Sequence, residues 1–227
     1  MDNQSGSHSP LSAGLLSFAG GMLDAYTYVH RGGVFANAQT GNTVKLGIYL
    51  AQGKTEDCLL LLVPILSFIL GSIVAVILGE FSDAHGLKIR HRGVLVMEMI
   101  TIFIVSLLPY TEAADMVTNS LIPFVCAMQT ETFAKFAGQA VSTTLSTGNL
   151  CKAAGALCRG IIEKNRKELR SGLFYYALVS LFIVGGFTET FLSGMLGNAA
   201  VLFALLPLVL TFAYITVIRI RIDSQTA

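Results

Sequence analysis

Charge is what this chain has least of. Only 13% of its 227 residues are Asp, Glu, Lys or Arg, about half the share of a soluble domain. Net charge is +1, so the basic surface needed to bind nucleic acid is missing. Met1 to Pro10 contains no Lys or Arg, and a secretory signal needs a basic stretch ahead of its apolar run. Ala36-Asn37-Ala38 resembles a cleavage site, but Asp24, His30 and Arg31 precede it, so residues 11–30 read as a retained helix. The four cysteines, Cys58, Cys126, Cys151 and Cys158, form no CxxC and no cluster with His. Neither a disulfide framework nor a metal site is indicated. Cys151 and Cys158, seven apart, share a helix face and are expected to pack inside. His8, His30, His85 and His91 are scattered, without HExxH, GxSxG or a nucleotide motif. An enzyme is not expected, nor a cofactor.

What the chain has is long apolar runs. Residues 59–79, LLLLVPILSFILGSIVAVILG, carry no charge, and 198–218 carry none either. Residues 93–109 carry only Glu98 and residues 172–192 only Glu189. Each is close to the ~20 residues that cross a hydrocarbon core. No polar face recurs with the 3.6-residue period of a soluble amphipathic helix. Both glutamates, near the span ends, are expected at the interface. Basic residues concentrate in 80–92 (Lys88, Arg90, Arg92), in 159–171 (Arg159, Lys164, Arg166, Lys167, Arg170) and in the tail (Arg219, Arg221). Segments 110–119 and 193–197 have none. The positive-inside rule places the first three in the cytoplasm and the last two outside.

Two regions, 11–53 and 117–158, are apolar but broken by Gly, Asn, Gln and charges. The second starts outside and ends inside, so it crosses an odd number of times. One crossing plus a short re-entrant piece fits. Overlaying residues 19–53 on 126–160 pairs Val34/Val141, Thr40/Thr147, Gly41/Gly148, Asn42/Asn149, Lys45/Lys152, Leu50/Leu157 and Gly53/Gly160. Asp24 meets Glu131 in that overlay. Such self-similarity marks a repeated unit. The expected fold is an all-α integral membrane protein with an inverted-topology repeat, about 3+3 crossings and a broken half-helix in each half. The repeats are 11–109 and 117–218, between a polar tail, 1–10, and a C-terminal tail, 219–227.

Thr40-Gly41-Asn42 and Thr147-Gly148-Asn149 are expected to open and cap two half-helices of about ten residues, about 15 Å each. Two helix N-termini entering from opposite sides would place positive dipole ends near the midplane. Lys45 and Lys152, one turn on, reinforce that field. These eight residues are the candidate solute contacts; the alternative is that Thr and Asn only cap the break and join helices. Asp24 and Glu131 are the candidate coupling carboxylates. Asp24 and Tyr28 are spaced to face one cavity, and Glu131 and Lys135 to pair on one helix face.

GGMLDAYTYVHRGGVFANAQTGNTVKLG (20–47) resembles the opening signature of the YoaK-like family of bacterial multi-spanning membrane proteins. AMQTETFAKFAGQAVSTTLSTGNL (127–150) resembles its second signature. The resemblance spans essentially the whole chain. It implies an inner-membrane protein of about six helices, with both termini cytoplasmic by the loop charges, and implies no particular substrate. Glu131 stands where that family often has Asn. The expected function is transport of a small polar or anionic solute between the repeats, with proton or cation coupling. A passive channel and a non-transporting scaffold are the alternatives. The expected partners are the lipid bilayer and a small solute, not nucleic acid, with a homo-oligomer left open.

Overall fold

The computed structural model describes residues 9–226 except 88 and 137. Most of the polar tail, 1–8, and Lys88 lie outside the described residues. The described chain is mostly helical, with two strands of two residues and irregular connections. The helices are α1 (Pro10–His30), α2 (Gln39–Ala51), α3 (Thr55–Ala84), α4 (Arg90–Ser106), α5 (Glu112–Thr132), α6 (Ser146–Ile162), α7 (Arg166–Leu196) and α8 (Leu205–Thr226). Strands β1 (Lys135–Phe136) and β2 (Gln139–Ala140) form an antiparallel hairpin between α5 and α6. A 3-10 stretch, Gly197–Ala204, leads into α8.

Local chemistry sets these boundaries. The Ser9 hydroxyl accepts from Leu11 N–H, with Pro10 in the first turn of α1. Thr111 accepts from Ala114 N–H, and Glu112 and Asp115 follow in the first turn of α5, where the helix dipole favours acids. Asn165 accepts from the N–H groups of Lys167 and Glu168 to start α7. The C-terminal tail, 219–227, continues α8 as far as Thr226.

Two stretches, Thr55–Ala84 and Arg166–Ile218, are long and apolar enough to cross a membrane. Their surroundings invert the arrangement of a soluble protein. Leu66, Ile69, Ile73 and Ile77 on α3 are half exposed, as are Ile183, Phe187, Phe191 and Met195 on α7. Asp24, Arg31, Asn42, Glu98, Asn119, Gln129, Asn149 and Glu189 are buried. Soluble monomers rarely expose continuous apolar surface on this scale.

The packing comes in matched pairs. Helix α1 packs on α7 and α3 on α5; α2 lies on α3 and α6 on α7; α8 contacts α1, α4 contacts α5, and α4 meets α8. The two main crossings are close. A Cβ on Gly21 would collide with the Phe182 carbonyl, and one on Gly71 with the Phe124 carbonyl. The core between α1, α4, α5 and α8 holds Leu16, Met22, Leu95, Ile102, Ile122 and Leu208.

Local equivalences between the two halves fall at registers that differ from the gapless overlay. The N–H groups of Arg31 and Phe133 close α1 and α5 identically, on the Thr27 and Gln129 carbonyls, an offset of 102. Asn42 and Asn149 make the same loop contacts, an offset of 107. The hairpin supplies the five extra residues. After α2 and α6, Gly53 and Lys164 both adopt positive φ, 71° and 51°, an offset of 111, because α6 is one turn longer. Gly160 therefore has no role like that of Gly53, and Glu131 aligns with Val29 rather than with Asp24.

Candidate functional site

Residues 31–38 turn back from the end of α1 and descend along it. Asn37 Nδ2 donates to the Gly20 carbonyl (3.1 Å), at the centre of α1. Residues 141–145 make the mirrored approach. Thr143 O lies 2.9 Å from the place a Cβ on Gly20 would occupy. The two irregular segments meet at one glycine, halfway along a 21-residue helix. Most of their length is shielded by protein, with Val34, Ala36, Asn37, Val141, Thr143 and Thr144 buried, while Gly32 and Leu145 at their ends are exposed. Irregular backbone at membrane depth is tolerated only where it is shielded in this way or lines a cavity.

The polar residues of these segments serve the backbone. Three consecutive N–H groups each find a side-chain oxygen: Phe35 on Asn42 Oδ1 (3.0 Å), Ala36 on Thr27 Oγ1 (3.1 Å) and Asn37 on Asp24 Oδ1 (2.7 Å). Asn42 Nδ2 returns a bond to the Phe35 carbonyl (2.7 Å), and Lys45 Nζ to that of Gly33 (2.5 Å). In the second segment Asn149 accepts from Ser142 N–H (3.4 Å) and donates to its carbonyl (2.6 Å). Lys152 Nζ donates to Ala140 O (2.7 Å). In TGNxxK, therefore, the Asn grips the residue seven before it and the Lys the residue twelve before it.

Several expectations change. Thr40 and Thr147 do not cap: α2 follows Ala38 and α6 follows Leu145, with no side-chain cap, and both threonines are exposed. Gly41 lies under the Phe35 ring, and Gly148 has open space around it. The half-helices have 13 and 17 residues rather than ten. Tyr28 is half exposed and stacks on Phe35 (4.5 Å), so it shares no cavity with Asp24. Glu131 is exposed. Lys135 lies beyond the end of α5 in β1, so the i,i+4 pairing on a helix face does not apply. Cys151 and Cys158 are exposed, while Cys58 and Cys126 are buried.

Two carboxylates expected at interfaces are fully buried, Glu98 and Glu189. With the Gln129 amide turned so that its nitrogen faces α4, it donates to both Glu98 oxygens (2.7 and 2.9 Å) and accepts from Thr143 Oγ1 (2.9 Å). Glu98 is thereby linked to the second irregular segment as Asp24 is to the first. Thr143, which Gln129 holds, has its carbonyl against Gly20, and the Gly20 carbonyl accepts from Asn37, so the two networks converge on one region. Neither has a cationic partner among the described residues. The lone charge of the run 93–109 was the signal in the sequence; its position near one end misled, because α4 begins at Arg90 and carries Glu98 inward.

A second polar cluster closes the opposite end of α1. Arg31, fully buried, donates to Tyr26 Oη (2.7 Å), Pro109 O (2.7 Å), Leu108 O (3.1 Å), Asp115 Oδ1 (3.0 Å) and Asn198 Oδ1 (2.8 Å). It ties α1 to the ends of α4 and α7 and to the start of α5. Glu189 on α7 is buried as well, and neither of its oxygens has a hydrogen-bond partner among the described residues.

A family model described as protein of unknown function (DUF1275) matches residues 12–214, and the chain belongs to that family. The resemblance to the YoaK-like proteins is consistent with it. No curated protein and no solved structure matches the chain.

Proposed function

We propose, taking this family membership and the buried polar midline as premises, that the protein is a multi-pass membrane transporter of a small polar or anionic solute. Its halves are inverted repeats of three crossings each, with the site where the two irregular segments meet. The matched packing pairs, in which α1–α7 corresponds to α5–α3 and α4–α8 to itself, support a two-fold relation. So do the like-built segments at Gly20. Each half has an odd number of crossings, so its copy enters from the other side, as the loop charges also require.

The observation that carries the reading is the pair Asp24 and Glu98. Each is buried, has no cationic partner among the described residues, and is tied to one irregular segment, Asp24 directly through Asn37 N–H and Glu98 through Gln129, which accepts from Thr143. A carboxylate at membrane depth is costly unless it holds a proton or a cation. Protonating Asp24 or Glu98 would weaken its grip on Asn37 N–H or on Gln129, freeing one segment at a time. Proton transfer and alternate exposure of the site are thereby linked. Asp24 keeps the coupling role expected of it, and Glu98 takes the one first given to Glu131. The scaffold reading rests on one observation, the commitment of Asn42, Lys45, Asn149 and Lys152 to backbone.

The test uses proteoliposomes holding a pH-sensitive dye and the full chain, challenged with a panel of small carboxylates, phosphate and neutral polar solutes. At least one solute is expected to move protons, and Glu98→Gln and Asp24→Asn to bring that flux to the empty-vesicle level while the protein remains monodisperse. Proton flux unchanged in both variants would refute coupling. Silence across the panel would favour the scaffold.

A further inference from the structure

A cleft of about 590 Å³ opens between α6 and α7, within the roughly 300–1,000 Å³ usual for small-molecule sites. Its walls bring together Lys152, Arg159 and Lys167 against a single carboxylate, Glu168. Arg159 is engaged with that carboxylate (Nη2 to Oε2, 3.0 Å) but keeps 58% of its side chain exposed. Lys152 sits over the Tyr175 ring at 5.6 Å. Lys167 is exposed and has no carboxylate partner among the described residues. The excess of two positive charges lines a concave surface whose floor is kept open by the small residues Gly155 and Ala156. Polar groups at the rim are oriented: Ser171 Oγ donates to Gln139 Oε1 (2.9 Å) and Tyr175 Oη to Ala140 O (2.9 Å).

The neighbourhood is apolar. Ile161, Ile162 and Leu173, on the same two helices, are exposed at 70%, 75% and 61%. The cleft also takes Arg159, Lys167, Glu168 and Ser171 from the segment 159–171, whose charge assigns that end of it to the cytoplasmic side. A basic pocket between membrane helices at that face is suited to an anionic head group. Two lysines and an arginine match a tetrahedral phosphate, the arginine by its planar fork, Lys167 as an exposed point charge, and Lys152 as a charge already positioned by the Ala140 carbonyl.

We propose that the α6–α7 cleft binds a phosphate group with net negative charge, through Lys152, Arg159 and Lys167. The inference does not require transport, since the cleft is separate from the meeting of the two segments at Gly20. The phosphate could belong to a phospholipid head group or to free phosphate in the cytoplasm, and the experiment separates these.

The purified full-length protein in neutral detergent is titrated with phosphatidylglycerol or with phosphatidylcholine, and bound lipid is counted by native mass spectrometry. Phosphatidylglycerol adducts are expected to exceed phosphatidylcholine adducts. Lys167→Gln and Arg159→Gln should each weaken binding roughly fivefold, and together bring it to the phosphatidylcholine level. Both side chains are exposed, so the variants keep the fold, checked by unchanged elution and melting. If millimolar inorganic phosphate strips the adducts and raises the melting temperature without lipid, the ligand is free phosphate; if it does neither while selectivity persists, the ligand is the lipid. Equal binding of the two lipids with no effect of phosphate overturns the proposal, as does binding indifferent to the double variant.

Discussion

At the residue scale, Asn42 and Asn149 carry more of the fold than their size suggests. Each amide completes a two-way bond with a half-buried backbone, to Phe35 in one segment and Ser142 in the other. Replacing Asn42 with Ala leaves one N–H and one C=O without partners, each worth about 1–3 kcal/mol when buried. Asn42→Ala should therefore destabilise the protein by about 2 kcal/mol, the low end because both groups are half-buried, read as a lower melting temperature in detergent. The exposed Thr40→Ala should change it by less than about 0.5 kcal/mol; equal losses would show that the TGN triplet acts through its threonine. The sequence made this triplet visible because it occurs twice with a lysine three residues on. It did not reveal the triplet's partners, since a side chain reaching seven or twelve residues back across a loop leaves no periodic trace. Arg31 was hidden for the same reason: its partners come from four separate places in the chain.

At the scale of elements, the apolar runs were legible and the ends of the short helices were not. Composition located 59–79 and 172–192 inside α3 and α7, because an apolar run with at most one charge has few alternatives to a buried or lipid-facing helix. The five-residue hairpin insertion and the extra turn of α6 escaped, because a gapless overlay keeps identities only where the offset happens to be 107. Packing between elements turned on glycines that a hydropathy pattern does not distinguish. Gly71 lets α3 approach the Phe124 carbonyl of α5, whereas Gly47 on α2 has no heavy atom within 4 Å of its would-be Cβ. Gly71→Ala must push two helices apart, at a cost of about 1–3 kcal/mol. Gly47→Ala only removes a flexible residue from a helix interior and should stabilise by about 0.5–1 kcal/mol. Thermal scans of the two variants should shift in opposite directions; a neutral Gly71→Ala would mean that the α3–α5 crossing is looser than its geometry.

For the whole molecule, the decisive question is the direction of the two halves. The turns after α2 and α6 are equivalent in backbone, with Gly53 and Lys164 both at positive φ, yet the charge rule puts them on opposite sides of the bilayer. Lys164 lies among Arg159, Arg166 and Lys167, while the turn at Gly53 precedes a helix opened by Glu56 and Asp57. The proposed inversion accounts for both irregular segments reaching Gly20, since parallel halves would bring them to the same membrane surface. With the four native cysteines replaced by Ser or Ala, a single cysteine at position 53 or 164 reports each turn. A membrane-impermeant maleimide applied to intact cells should label Gly53→Cys directly and Lys164→Cys only after permeabilisation. Labelling of both from one side would place the halves in parallel, and the shared midline site, with the carboxylates set on either side of it, would lose its geometric basis.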